Sequence, residues 1–323
     1  MRRILFVKTS SLGDVVQHCP AVSDAARAHP GASIDWVVEE PFAEIASMHA
    51  AVRRVIPVAM RRWRRTLWRA SVWSEISRFR KTVAAERYDA VIDSQGLLKS
   101  ALLCTCAVGI KHGLDRSSAR EPLAARFYDV VHAVPRAMHA VERNRLLTAK
   151  ALGYPVQGPL DYGLRAPTPD QTDNLPMRDP YAVFLTMTSR DEKLWPESRW
   201  VELGRALGMP VFIPWGSPAE RARAQSIAAA IGNATVPARM SLPALANLLG
   251  KADRVVGLDT GLTHLAAALG VPTVGIYSGS NPALNGLHGA PRARNVGNAG
   301  RPPSMPEVLE ALGAQGAGLR RRH

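Results

Sequence analysis

Two α/β domains in tandem, each a parallel sheet wrapped by helices, is the fold class the sequence predicts. Three observations carry it. The chain has 323 residues, too many for one ordinary domain and suited to two of about 150 each. Short β-branched runs alternate with amphipathic stretches in both halves, the pattern of strands crossed over by helices. That alternation fails between Gly153 and Pro180, where six prolines fall among Gly and Asp, a composition that suits a linker. The expected division is a first domain at 1–155, a linker at 156–180 and a second domain at 181–323.

The elements follow in order. M-R-R-I-L-F-V-K opens the chain with only four apolar residues before Lys8, too short for a signal-peptide core and suited to a buried first strand, Ile4–Lys8. Further strands are expected at Ile34–Val38, Arg54–Val58, Ala90–Asp93 and Gly109–His112, with helices at Asp14–Ala28, Val72–Arg87 and Leu97–Ala107. Beyond the linker the strands are Ala182–Thr186, Val211–Pro214, Arg254–Leu258 and Thr273–Tyr277. The helices between them are Glu197–Leu207, Pro218–Ala230, Leu242–Leu249 and Thr263–Leu269.

Composition narrows the partners. A hydrophobic content of 46% supports two cores, and no apolar run approaches the ~18–20 residues of a membrane span. Three cysteines, Cys19, Cys104 and Cys106, make no disulfide framework. Cys104-Thr105-Cys106 has no second metal-ligand pair and reads as buried thiols. A cytoplasmic protein is expected. The formal charge is +14, and residues 1–165 hold 25 of the 41 Lys and Arg against 15 of the 27 acids. A basic first half points to an anionic partner, whether nucleic acid, phospholipid surface or acidic small molecule.

In sheets of this kind ligands bind beyond the carboxyl ends of strands, so four strand-end segments stand out. V-K-T-S-S-L-G-D-V-V, residues 7–16, runs from a strand through small residues into a helix. Asp14 there reads either as a helix N-terminal carboxylate or as a general base. The absence of G-x-G-x-x-G and of a Walker-type loop disfavours dinucleotide or P-loop nucleotide binding. T-M-T-S-R-D-E-K-L-W-P, residues 186–196, sets Thr188, Ser189 and Lys193 in a loop after the second domain's first strand. Lys193 is either a solvated charge or a cation for a phosphate.

D-T-G-L-T-H, residues 259–264, joins a strand to a helix. The backbone N–H groups at Thr260 and Gly261 make a seat for a diphosphate. Asp259 would repel phosphate and reads as a simple cap or as an acceptor for sugar hydroxyls. His264 reads as a first-turn residue or as part of the same turn. R-R-W-R-R, Arg61–Arg65, precedes Trp68, Arg69 and Trp73. Such a run is usually a solvated face, but Arg forks bind phosphate and carboxylate, and Trp63 and Trp68 suit a membrane interface.

Taken together these stretches resemble the bacterial lipopolysaccharide heptosyltransferases of the inner core. The resemblance covers nearly the whole chain, through K-T-S-S-L-G-D-V, D-W-V-V-E-E, R-R-W-R-R, Y-D-A-V-I-D-S-Q-G-L-L-K-S, A-R-E-P-L-A, H-A-V-E-R, P-W-G-S-P and D-T-G-L-T-H-L. It implies a GT-B fold, two Rossmann-like domains facing across a cleft, with the first binding acceptor and the second nucleotide sugar. It implies inverting transfer of L-glycero-D-manno-heptose from ADP-heptose to the Kdo of Kdo-lipid A. It also implies a peripheral place on the inner face of the cytoplasmic membrane.

The resemblance makes Asp14 the base. It places Lys193, Thr188, Ser189, Met240, Asp259, Thr260, Gly261 and His264 on the donor, and Arg61, Arg62, Arg64, Arg65 and Arg120 on the acceptor. Ser189 stands where close relatives have Thr, and G-S-N-P at Gly279–Pro282 lacks an Asp that relatives often carry. No metal and no cofactor are expected: no His/Cys/Asp cluster has metal spacing, and Lys193 with the helix end would neutralise the leaving diphosphate. Two rivals remain at this level. A sugar-nucleotide epimerase would share the fold without needing the basic, Trp-studded face. A nucleic-acid binder would explain the charge, but not the Lys193 and Asp259 turns, and no RNA or DNA module is visible.

Overall fold

The computed structural model describes residues 2–167, 180–188 and 190–316. The chain divides into two compact units, Met1–Arg165 and Ala166–His323. The first holds six parallel strands: β1 Arg3–Val7, β2 Ser33–Glu39, β3 Val52–Val58, β4 Arg87–Asp93, β5 Val108–Leu114 and β6 Val130–His132. Their order across the sheet is β3-β2-β1-β4-β5-β6. The second holds β7 Ala182–Leu185, β8 Val211–Phe212, β9 Ala234–Thr235, β10 Arg254–Leu258, β11 Thr273–Tyr277 and β12 Ala293–Gly297. Their order is β12-β11-β10-β7-β8-β9, again parallel throughout. Both are the doubly wound 3-2-1-4-5-6 arrangement, in which the first and fourth strands lie side by side and the chain winds outward from each.

The winding follows from where apolar residues fall. Ile4, Leu5 and Phe6 in β1 are wholly buried, as a central parallel strand covered on both faces requires. In the second unit Val255, Val256 and Leu258 of β10 and Val274 and Ile276 of β11 are equally buried. Helices close the faces. Phe79 and Val83 of the helix Ala70–Ala84 pack with Leu5, Val37, Ile56 and Val91. Trp195 and Trp200 pack edge to face at 5.1 Å beneath Phe184 and Leu203. Each large side chain so buried is worth roughly 1.5–3 kcal/mol.

Several elements differ from the sequence expectation. The single helix expected over Asp14–Ala28 is two, Leu12–Val16 and Cys19–Ala28, because Pro20 falls in the first turn of the second, where its missing N–H is tolerated. The strands β6, β9 and β12 were not anticipated. They lie at the sheet edges beside β5, β8 and β11, and the first two span only three and two residues. Nor was the helix Ala140–Leu152, whose buried face includes Asn144, Arg145 and Thr148 in place of an unbroken apolar stripe.

The segment expected as linker begins as part of the first unit. Leu164 bridges to His49, and Gly163 sits at φ +59, where a Cβ would lie 2.6 Å from His49 Nε2. Residues 168–179 of that segment lie outside the described residues.

Candidate active site

In each unit the chemistry-bearing residues collect at the carboxyl ends of the two strands that flank the reversal of strand order, β1 and β4 in the first, β7 and β10 in the second. There the outgoing loops diverge and leave a crevice.

In the first unit, Lys8 to Asp14 follow β1, and Gln95 follows β4. Gln95 Oε1 accepts from the backbone N–H of Thr9 at 3.1 Å and of Ser10 at 3.3 Å, and its Nε2 donates to Ser10 O at 2.7 Å. That amide moulds the loop that leads into Asp14. Asp14 Oδ2 accepts from Ser11 N at 2.7 Å and from Ser11 Oγ at 3.3 Å. Oδ2 thus serves as a helix cap. Oδ1 takes neither bond and remains available as an acceptor on a half-buried side chain.

Cations gather about this loop, and Lys8 is one that acts on Asp14. Lys8 is buried and donates from Nζ to Ser94 O at 3.0 Å. Burial lowers its ammonium pKa, helped by the charges of Arg120 and Arg143 and opposed by Asp14 and Asp93. Arg143 donates to Ser118 O at 2.8 Å, keeps a buried Nε with no partner, and is lowered by burial and by the nearby Arg120 and Arg136. Lys99 Nζ reaches Ser10 Oγ at 3.1 Å. Sequence reasoning identified Arg120 alone among these. Lys8 and Lys99 carried a signal, since each stands within a few residues of a strand end. Arg136 and Arg143 carried none, because only folding brings their segment to this crevice.

The Arg61–Arg65 run is not uniform. It follows the edge strand β3 and forms a short helix, Met60–Trp63. Glu39 Oε1 accepts from the Arg61 backbone N–H at 2.8 Å, which anchors the run to the end of β2. Arg62 is held by Glu40 at 3.0 Å and Glu75 at 2.9 Å. Arg64 and Arg65 are exposed and make no ion pair among the described residues. Trp63 corrects the expectation of an interfacial ring: it is 6% exposed, donates from Nε1 to Glu75 at 2.7 Å and packs in the core. Trp68 at 78%, Trp73 at 59% and Leu67 at 45% exposure are the apolar groups this segment presents outward.

In the second unit, β7 leads through Thr186, Met187 and Thr188 to a turn at Asp191–Lys193. Ser189 lies outside the described residues. Lys193 is no solvated charge. Its Nζ lies 2.6 Å from Asp259 Oδ2, and both side chains are 11% exposed. Ser280 Oγ, from the loop after β11, donates to the same oxygen at 2.6 Å. His264 Nε2 stands 3.6 Å from Oδ1. Burial alone would raise the Asp259 carboxyl, but His264, Lys193 and Ser280 outweigh it and hold it well below the usual carboxylate range.

Local structure explains the convergence. Asp259 ends β10, Thr260 is the N-cap of the helix Gly261–Ala268, and the first turn of that helix carries unpaired N–H groups. Thr263 Oγ1 donates to Leu258 O at 2.6 Å, a contact that Gly257 permits, since a Cβ there would lie 2.3 Å from that hydroxyl. The Thr186 and Ser278 hydroxyls, at the ends of β7 and β11, are buried with no partner. Met240 is half-buried after β9, just before the helix Leu242–Gly250. In the second unit, Ser280 is a residue sequence reasoning missed. It lies within G-S-N-P, where the absent Asp had drawn attention away from the serine. Among the described residues no three His, Cys, Asp or Glu side chains group as metal ligands would.

Known proteins resemble this chain in sequence and fold. The glycosyltransferase family 9 (heptosyltransferase) model matches residues 76–308. The lipopolysaccharide heptosyltransferase 1 of Salmonella typhimurium is 49% identical over 292 residues, 89% of this chain and 92% of that protein. The solved structure of E. coli heptosyltransferase WaaC with ADP matches with a TM-score of 0.88 at 44% identity, covering 97% of this chain and 99% of that one. The same enzyme with ADP-2-deoxy-2-fluoro heptose matches with a TM-score of 0.83 at 43% identity and the same coverage.

Proposed function

The chain belongs to glycosyltransferase family 9, the heptosyltransferases, and from that membership we infer how its two strand-end clusters divide the reaction. It is a glycosyltransferase of GT-B fold class that transfers heptose in lipopolysaccharide inner-core synthesis. We propose ADP-L-glycero-β-D-manno-heptose as donor, which the WaaC structures with ADP and with a fluorinated ADP-heptose support. The acceptor we propose is the Kdo of Kdo-lipid A.

In this reading the second unit holds the donor and the first holds the acceptor. Lys193 and the N-terminus of the helix Gly261–Ala268 take the diphosphate, whose charge grows as the anomeric bond breaks. Asp259 accepts from heptose hydroxyls, with Thr188, Ser189, Met240, Thr260 and His264 lining the rest of the donor. Arg120, with Lys8, Lys99 and Arg143, receives the Kdo carboxylate. The Kdo hydroxyl oxygen bonds to the anomeric carbon, the carbon–oxygen bond to ADP breaks, and the hydroxyl proton passes to Asp14 Oδ1. One displacement inverts the centre, as one base and no protein nucleophile require.

The observation that carries the reading is that one unit has a half-buried carboxylate at its strand-order reversal and the other has a cation and a carboxylate at its own. Intact-mass analysis of Kdo-lipid A incubated with the protein and ADP-heptose tests it. A gain of one heptose is expected; an unchanged mass overturns it.

We further propose a peripheral seat on an anionic leaflet. Among the described residues no helix is long and apolar enough to cross a membrane. Leu67, Trp68 and Trp73 would enter the interface while Arg64, Arg65 and Arg69 meet the phosphates.

A further inference from the structure

We propose that the Lys193–Asp259 ion pair is an exchange switch by which the donor site prefers ADP-heptose to ADP and expels ADP once the sugar has gone. The inference rests on the donor assignment above and adds what the pair does between turnovers.

The two oxygens of Asp259 are unequal. Oδ2 takes both Lys193 Nζ and Ser280 Oγ, each at 2.6 Å. Among the described residues Oδ1 has His264 Nε2 at 3.6 Å, a longer and weaker contact than the two on Oδ2. With a carboxylate against its ammonium, Lys193 offers a diphosphate a neutralised charge, and the carboxylate repels the phosphates. A nucleotide must therefore draw Lys193 off Asp259, and a buried carboxylate left without its counter-charge is costly. A heptose resolves the conflict because its hydroxyls are donors. They replace Lys193 on Asp259, and Lys193 turns to the diphosphate. ADP ends at its β-phosphate, and its ribose hydroxyls lie on the other side of the diphosphate.

The geometry suits a short swing. A Cβ on Gly279 would lie 3.1 Å from Lys193 Cγ, so the base of the lysine is packed against the loop after β11 and the outer carbons pivot. Ser280 is the positioning residue, since it can stay on Oδ2 in both arrangements and keep the carboxylate aimed. After transfer the heptose leaves with the acceptor, Asp259 recovers Lys193, and ADP loses its cation.

Isothermal calorimetry of ADP and ADP-heptose on the full chain tests the switch. ADP carries more negative charge than ADP-heptose near neutral pH, so a plain cationic seat would favour ADP. The switch predicts the reverse order in the wild type. Asp259→Asn keeps an oxygen for Ser280 but frees Lys193. It should tighten ADP by about tenfold or more, weaken ADP-heptose and invert the order. The tightening should vanish in a Lys193→Met background, as coupling through one contact requires. Unchanged or weaker ADP binding by Asp259→Asn overturns the proposal, as does a tightening that survives Lys193→Met. Should Asp259→Asn not fold, tighter binding of ADP than of ADP-heptose by the wild type overturns it equally. Heptose transfer by the wild type, assayed separately, tests the proposed function and not the switch.

Discussion

Asp14 Oδ2 accepts from Ser11 at the start of its helix, and the base proposed above is the other oxygen, Oδ1. The cap is therefore compatible with the proposed base and does not exclude it. Asp14→Asn retains an oxygen for Ser11 and loses the base. At saturating substrates kcat should fall by about 10²–10⁴ while the Kd for ADP-heptose holds; normal turnover would leave Asp14 a cap alone. The two tryptophans of the basic segment should part company in the same way. Trp63→Ala opens the first unit's core and should cost about 3–5 kcal/mol, seen as a fall in Tm. Trp68→Ala should leave Tm in place and weaken binding to anionic liposomes, because its ring is 78% exposed.

At the scale of the element, the Arg61–Arg65 run is a helix turn with a division of labour. Arg62 is held between Glu40 and Glu75 on a largely exposed surface, where such pairs contribute little to stability. Arg62→Gln should therefore change acceptor KM and Tm only slightly. Arg64→Gln with Arg65→Gln should raise acceptor KM and reduce liposome binding, with ADP-heptose KM unchanged. Added salt should mimic part of that loss in the wild type, since exposed charges are screened. Steady-state kinetics at two ionic strengths decides it. An ordinary acceptor KM in the double variant would return the run to a solvated face.

For the whole molecule, two cores imply that damage to one unit need not spread. In the first, Arg145 Nε meets Asp24 Oδ2 at 2.7 Å, with 7% and 3% of the side chains exposed. The pair joins the helices Cys19–Ala28 and Ala140–Leu152. Asp24→Ala removes the shorter of the two carboxylate partners of this buried guanidinium, leaving Glu142 at 3.2 Å, and should cost up to about 3–5 kcal/mol. Scanning calorimetry should show the first unit's transition moving down and the second's staying in place. A single transition that shifts as a whole would mean that the units unfold as one.

The central strands and the turns that follow them were legible in the residues themselves. A strand buried on both faces must be apolar throughout, and a turn that binds a charged ligand must carry glycine, hydroxyls and charge at the strand's end. That is why Ile4–Lys8 and Arg254–Leu258 could be read as strands, and Asp14, Lys193 and Asp259 singled out as candidates, with their roles supplied by the family resemblance. The edge strands β6, β9 and β12 could not, because one neighbour and a few residues demand no apolar run. The ion pair of Lys193 with Asp259 spans 66 positions, and Ser280 joins them from a third loop. The cations gathered about the loop that leads to Asp14 likewise come from four separate segments. Which side chains share a crevice depends on strand order across the sheet, and that order is chosen by packing between distant segments. It was also packing, not composition, that buried Trp63 and left Trp68 in solvent within one basic run.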